Sequence, residues 1–273
     1  MMSTALRPSR ERTRRRASAL LVLAILAACG SADAAVTGPG EGGSSNGGSG
    51  GTGGNNGRAV VSGRVTDPQG RPIAGATIVV NNALWFNRNI VLHSGNDGTY
   101  RHEMPATDSW YVRGTTTVAY HDRTYTVDLK PDYAGAFAGT EGRVVDLQWV
   151  MSGERAHDFG QDGFYGGSVE VETGWDLPDL AGVTVTLTPV GTLLDGSAGQ
   201  PITRSVDGGA ASLVIRDVPI GRYAIRVLRN GVPLVLRMRN ASAYVSDVVA
   251  DFEPAYAGAT AYGIYFMAAT TDW

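Results

Sequence analysis

The sequence predicts an all-β protein made of antiparallel sandwiches, and three observations carry that reading. From Arg58 onward, apolar residues alternate with polar ones at a period of two. Clusters of Asp, Asn, Gly and Pro break the alternation at short intervals. No segment of that region shows the 3.6-residue periodicity of an amphipathic helix. Short strands with one buried face, joined by tight turns, belong to antiparallel sandwiches.

The elements follow in order. Val61, Gly63 and Val65 share one face of a first strand, and Ala76, Ile78 and Val80 share a face of the next. Tyr125, Val127 and Leu129 repeat the pattern, as do Val183, Val185 and Leu187, then Tyr223, Ile225 and Val227. Alternation of this kind leaves one strand face dry and the other wet. Turns are expected at Asp67-Pro68-Gln69-Gly70, Asn96-Asp97-Gly98, Asp207-Gly208-Gly209 and Arg229-Asn230-Gly231.

The N-terminal segment is of another kind. Residues 1–28 form a secretory signal, with six arginines against Glu11 and then an apolar run from Ala17 to Ala28. That run is shorter than the roughly 20 residues a transmembrane helix needs. It closes on Leu26-Ala27-Ala28-Cys29, and Cys29 is the chain's single cysteine. These residues resemble the lipobox of bacterial lipoproteins. The resemblance implies cleavage before Cys29, a lipid on its sulfur and a membrane tether. Gly30, in place of aspartate, fits sorting to the outer membrane. Several acyl chains on one residue hold a protein firmly, where a single chain does so only marginally.

Loss of the signal leaves 17 basic residues against 25 acidic ones. No basic patch is present, so nucleic acid is not an expected partner. One cysteine excludes intrachain disulfides. Residues 29–57 form the tether. Eleven of the twenty residues from 38 to 57 are glycine, and none is a bulky apolar residue. Such a segment is a flexible linker with a mean reach of about 30 Å from Cys29 to Arg58.

The remaining 216 residues contain an internal repeat. Val127-Asp128-Leu129-Lys130-Pro131-Asp132-Tyr133-Ala134-Gly135-Ala136 aligns without gaps to Ala250-Asp251-Phe252-Glu253-Pro254-Ala255-Tyr256-Ala257-Gly258-Ala259, with six of ten positions identical. Ile73-Ala74-Gly75-Ala76-Thr77-Ile78 likewise matches Leu180-Ala181-Gly182-Val183-Thr184-Val185. Two modules are expected, at 58–151 and 167–273, joined by an interdomain linker at 152–166.

Ser62 to Ile78, reading SGRVTDPQGRPIAGATI, resembles the opening of carboxypeptidase regulatory-like domains. Asn96-Asp97-Gly98-Thr99-Tyr100 resembles that family's next turn and strand, and Val218-Pro219-Ile220-Gly221-Arg222-Tyr223 its Pro-x-Gly-x-Tyr turn. The likeness covers most of 58–150 and is looser over 165–273. It implies two tandem transthyretin-like (prealbumin-like, Greek-key) sandwiches. It also implies a binding or accessory role, because these domains accompany catalytic ones without being catalytic. Related folds are classed as carbohydrate-binding-like, which makes a glycan one expected partner and an envelope protein another.

The search for chemistry returns little. His93, His102, His121 and His157 lack metal-ligand spacing, and His121-Asp122 would point to opposite faces of a strand. No nucleophile elbow or phosphate loop is present. No cofactor or metal is expected. Asp158, Asp162, Asp176 and Asp179 offer oxygen ligands of the kind calcium takes, against the simpler reading of solvated loop carboxylates. The candidate ligand-binding residues are Asn82, Trp85, Phe86 and Asn87, two neighbouring aromatics flanked by amides that suit sugar stacking. The preferred competing reading makes Trp85 and Phe86 a plug that closes the sandwich end or meets the second module. Trp110, Trp149 and Trp175 are assigned to packing, and the repeated Tyr133 and Tyr256 to holding a turn. The expected function is a non-catalytic, lipid-anchored envelope binding module. A structural spacer is the alternative, and an unrecognised hydrolase a more distant one.

Overall fold

A computed structural model of the chain describes residues 59–271. The signal at 1–28, Cys29 and the tether lie outside the described residues. The described residues group as one compact unit. The described residues contain no α-helix, only one short 3-10 turn at Asp158–Gly160.

In the first half the strands are β1 (Val60–Thr66), β2 (Thr77–Asn82), β3 (Asn89–His93), β4 (Thr99–Glu103), β5 (Ser109–Tyr120), β6 (Arg123–Pro131), β7 (Phe137–Ala138), β8 (Arg143–Val144) and β9 (Leu147–Trp149). They pair in the order β3-β2-β5-β6-β9-β1-β4, with β7 on β5 and β8 on β1. The ladders are antiparallel except where β1 meets β8 and β9. Strand β1 changes partner along its length. Val61 and Ser62 face β8, while Val65 and Thr66 face β9. The change occurs at Gly63, where Val145 reaches in and its carbonyl accepts the Tyr100 hydroxyl at 2.6 Å. A Cβ on Gly63 would lie 1.8 Å from that carbonyl oxygen, so only glycine fits.

The second half comprises β10 (Gly167–Thr173), β11 (Val183–Leu193), β12 (Ile202–Ser205), β13 (Ser212–Val218), β14 (Gly221–Arg229), β15 (Val232–Pro233), β16 (Val235–Met238), β17 (Val248–Asp251), β18 (Glu253–Pro254) and β19 (Tyr262–Ala269). One sheet runs β13-β10-β19-β16 with β18 on β19, and the other runs β12-β11-β14-β15 with β17 on β14. The pairing repeats that of the first half in part: β9 joins β6 to β1 and makes the first half one continuous sheet, whereas the second half forms two separate sheets. Both β1 and β10 take an antiparallel neighbour (β4 or β13) and a parallel one (β8 and β9, or β19). Both β2 and β11 lie between a short strand (β3 or β12) and a long one (β5 or β14). Among the described residues, no strand of one half pairs with a strand of the other.

The expected inward faces are the observed ones. Val61, Val65, Ile78, Val80, Val183, Val185 and Leu187 are completely buried, and Tyr125, Tyr223, Ile225 and Val227 nearly so. Each such aliphatic side chain contributes about 1.5–3 kcal/mol when fully removed from water. Trp110 and Trp149 are core residues as expected, but Trp175 is exposed. Tyr133 holds its turn through a hydroxyl bond to the Ala136 carbonyl at 3.0 Å and lies under the Arg143 guanidinium. Its repeat counterpart Tyr256 is exposed, so likeness in sequence does not carry over to environment there.

Two features fix the halves to each other. The first is a junction of tyrosines. Tyr120 donates to the Thr192 carbonyl at 2.7 Å and accepts from the Arg222 amide at 3.1 Å. Tyr125 donates to the Phe252 carbonyl at 3.0 Å. Tyr262 takes the Thr126 amide at 2.7 Å and returns its proton to the Thr126 carbonyl at 3.1 Å. That pair of bonds covers a stretch of β6 beyond the short β9 ladder, which would otherwise be an open edge.

The second feature is the segment 152–166, which is folded against the first half. Phe159 stacks on Tyr111 with centroids 4.0 Å apart, and Arg113 donates to the carbonyls of Asp158 and Phe159 at 2.9 and 2.8 Å. Arg155 pairs with Asp128 at 2.8 Å, with both side chains largely buried, and lies over the Tyr165 ring. The Asp217 carboxylate accepts the amides of Gly153 and Gly166, which ties the ends of this strap to β13.

Candidate functional site

The loop between β2 and β3 follows from where β2 ends. Asn82 is next in the inward series Ile78, Val80, and its side chain is buried. A buried amide needs partners. Its Oδ1 accepts the backbone amides of Leu84 and Trp85, both at 2.9 Å, and its Nδ2 donates to Asp108 Oδ2 at 3.1 Å. This Asx-type arrangement turns the chain outward immediately after the strand. Asn87, at φ 59°, turns it back. Arg88 closes the loop by an ion pair to the same Asp108 carboxylate at 3.4 Å, and the Ala83 amide donates to the Ser109 carbonyl at 2.8 Å.

The result is a short convex tip with its apolar side chains in water. Leu84 is 66%, Trp85 61% and Phe86 102% exposed. The plug reading is therefore corrected. At this exposure neither ring closes the sandwich end as a plug, and Asn82 and Asp108 bond each other beneath the loop. Trp85 and Phe86 are brought together, while Asn82 shapes the loop and Asn87 supplies its left-handed residue. Sequence reasoning took in Leu84 and Arg88 as part of the loop at 81–89 without giving either a role, and it passed over Asp108. The signal for Asn82 was present, since the period-two series places it inward.

The tip shares its end of the sandwich with the start of the folded chain. The Ala59 carbonyl accepts the Met104 amide at 2.8 Å, just past the end of β4. The following residues lead to Asp108, whose carboxylate holds Asn82 and whose carbonyl accepts the Gly139 amide. The opposite end of the same sheets carries Tyr120 and the junction.

Elsewhere the titratable groups are engaged in structure. The Asp251 carboxyl is pushed up by burial, yet hydrogen bonds and charge from Arg222 and His121 outweigh this and hold it below the usual carboxylate range. His157 lies 3.0 Å from Asp162 and 3.1 Å from Glu154, and these two carboxylates raise its pKa. His121 bonds Asp251 across the junction at 3.1 Å, not its neighbour Asp122. The four aspartates weighed for calcium are dispersed: the Asp158 carbonyl holds Arg113, Asp162 faces His157, Asp176 bonds Thr270, and Asp179 pairs with Arg229. Among the described residues, no group of three or more His, Cys, Asp or Glu is placed to hold a metal ion. A pocket of about 190 Å3 lies between the strap and the first-half sheet, lined by Arg113, Asp128, Gln161 and Tyr165. A more open concavity of about 520 Å3 lies at the junction beside Arg216 and Tyr256. In both, Asp128 is already taken, by Arg155 and by the Thr260 hydroxyl at 2.7 Å.

No protein-family model matches the chain, and no curated protein matches it. Solved structures similar to it are β-rich. The Bacillus anthracis TIE protein is 11% identical over 79% of this chain, with a TM-score of 0.32, and the chain spans 34% of its length. The minor pilin GBS52 of Streptococcus agalactiae is 10% identical, with 78% of this chain and 97% of the pilin covered and a TM-score of 0.26. A candidate carbohydrate-binding protein of Bacteroides uniformis is 16% identical, with 71% and 99% covered and a TM-score of 0.23. Likeness at this level carries no functional argument. No helix among the described residues is long and apolar enough to cross a membrane.

Proposed function

We propose that the chain is a non-catalytic, lipid-anchored module of the bacterial cell envelope, held to the outer membrane through Cys29, and that it engages an envelope component through the Leu84–Trp85–Phe86 loop. One observation carries this reading. Three consecutive large apolar side chains stand in water on a loop that Asn82 and Asp108 hold in shape. Contiguous exposed apolar groups mark interaction sites. In this reading the body is two carboxypeptidase regulatory-like modules, 58–151 and 167–273, with 152–166 as a strap between them.

The expected partner classes are a glycan and an envelope protein. For a glycan the loop offers ring faces, but Asn82 is turned inward and is not available to form an amide fork. A spacer role is favoured by a separate observation, the hydrogen-bonded tyrosine junction, which makes the body stiff. The two roles are compatible in one molecule.

The test is a pull-down from envelope extract with the 58–273 fragment and its Trp85→Ala/Phe86→Ala variant, alongside labelled-palmitate incorporation by the full chain and by Cys29→Ala. The reading expects envelope material to be captured by the wild type, lost with the loop variant at unchanged melting temperature, and label on the wild type alone. Equal capture by both fragments would remove the loop from the function. Label that survives Cys29→Ala would remove the anchor.

A further inference from the structure

The partner of the loop can be named from its place in the fold. We propose that Leu84, Trp85 and Phe86 insert into the interfacial region of the lipid bilayer to which the chain is tethered, so that the first half stands on the membrane and the second half points away. The inference rests on the lipid-anchored reading above and adds what the loop touches.

Four observations converge. The tip is convex and apolar, with Phe86 fully exposed, whereas a sugar or small ligand takes a concave site with polar groups arranged around it. Its composition suits the boundary between headgroups and acyl chains, where Trp, Phe and Leu are favoured. The chain's own N-terminal tether cannot cover it, because residues 38–57 contain no bulky apolar side chain. Finally, the chain that leads back to Cys29 enters at Ala59, on the same end of the sandwich as the tip. The tether therefore joins the folded body at the end that carries the tip.

Attachment by two elements also answers the physical weakness of a long flexible tether. Once the acyl chains are in the bilayer, the loop is confined near the surface, and a weak insertion becomes an intramolecular event at high effective concentration. The rigid loop keeps the ordering cost of that step low.

The experiment uses the mature chain from residue 29 with Cys29→Ser, so that no acyl chain contributes. The body is one compact unit that includes neither Cys29 nor the signal. Binding to vesicles of phosphatidylethanolamine and phosphatidylglycerol is read by co-sedimentation and by the shift of tryptophan emission. Three proteins are compared: the parent, the triple variant L84S/W85S/F86S, and V249S, which changes an exposed valine on β17 of the second half. The parent and V249S are expected to bind alike and to resist added salt, because burial of apolar surface is not screened. The triple variant is expected to bind about tenfold or more weakly, the scale set by removing three apolar side chains from the interface. Equal sedimentation of parent and triple variant overturns the proposal, as does a parent that binds no vesicles. If vesicles are not bound while the loop variant still loses envelope capture, the lipid assignment fails and the envelope-contact reading survives. If neither assay responds to the loop, both fail. Loop-dependent dimerisation in place of vesicle binding overturns the lipid assignment as well.

Discussion

Asn82 is the residue on which the shape of the exposed tip depends, and Asn82→Ala isolates its contribution. The substitution removes two bonds to loop amides at 2.9 Å and one to the Asp108 carboxylate at 3.1 Å. A neutral hydrogen bond contributes about 0.5–1.5 kcal/mol net, and one to a charged group somewhat more. The Leu84 and Trp85 amides lie in an exposed loop and regain water, and Asp108 keeps Arg88. These offsets bring the expected loss to about 2 kcal/mol. Urea unfolding measures it as a lower midpoint at unchanged slope, and faster amide exchange at Leu84 and Trp85 localises it. Asn82→Asp gives a finer test. It keeps the acceptor for both amides but sets a second carboxylate against Asp108. Two facing carboxylates raise the pKa of one of them. This variant is therefore destabilised at neutral pH and recovers as acid protonates one of the two carboxyls. A loss under about 0.5 kcal/mol for Asn82→Ala, with unchanged exchange at the two amides, would refute the claim that Asn82 builds the loop.

Three further outcomes follow from the fold. Tyr262→Phe removes both bonds to Thr126 and should cost about 2 kcal/mol in chemical denaturation. It should also raise exchange at the Thr126 amide, and an unchanged midpoint would show that the β6 edge needs no cover. Gly63→Ala sets a methyl group against the Val145 carbonyl and should cost more than about 3 kcal/mol or prevent folding, checked by circular dichroism and thermal melting. The Asp251 carboxyl, held low by Arg222 and His121 in the folded state, stabilises the junction above its unfolded pKa of about 3.9. That contribution is lost as pH falls through the lower folded value. Asp251→Asn should therefore lie closer to wild type at pH 2 than at pH 6 in denaturant midpoint, and an equal gap at both would contradict the assignment.

The parts of the fold that were legible in the sequence are those in which a local period alone decides the outcome. Val61 and Val65, Ile78 and Val80, and Val183 to Leu187 face inward because alternate strand residues must share a face, whatever the partner strand is. The same rule carried through to Asn82, whose burial was readable one step past Val80. What the sequence did not reveal depends on distant partners. The strap at 152–166 reads as a linker because it is rich in glycine and charge, yet Arg155 and Phe159 within it dock on Asp128, Tyr111 and Arg113, residues 27 to 48 positions away. Exposure of Trp85 and Phe86 was not readable either. Whether a loop aromatic packs depends on what already fills the end of the sandwich, and here Asn82, Asp108 and Arg88 fill it. Likewise Tyr133 is held by Arg143, while its repeat Tyr256 stands exposed.

Everything assigned to the envelope turns on the mass of the mature N-terminus. The full chain, expressed in a bacterium that processes lipoproteins and extracted from its membranes, is digested and its first peptide weighed. A peptide beginning at Cys29 and carrying acyl groups is the predicted product. A peptide cut elsewhere, or a Cys29 with a free thiol, would contradict the account.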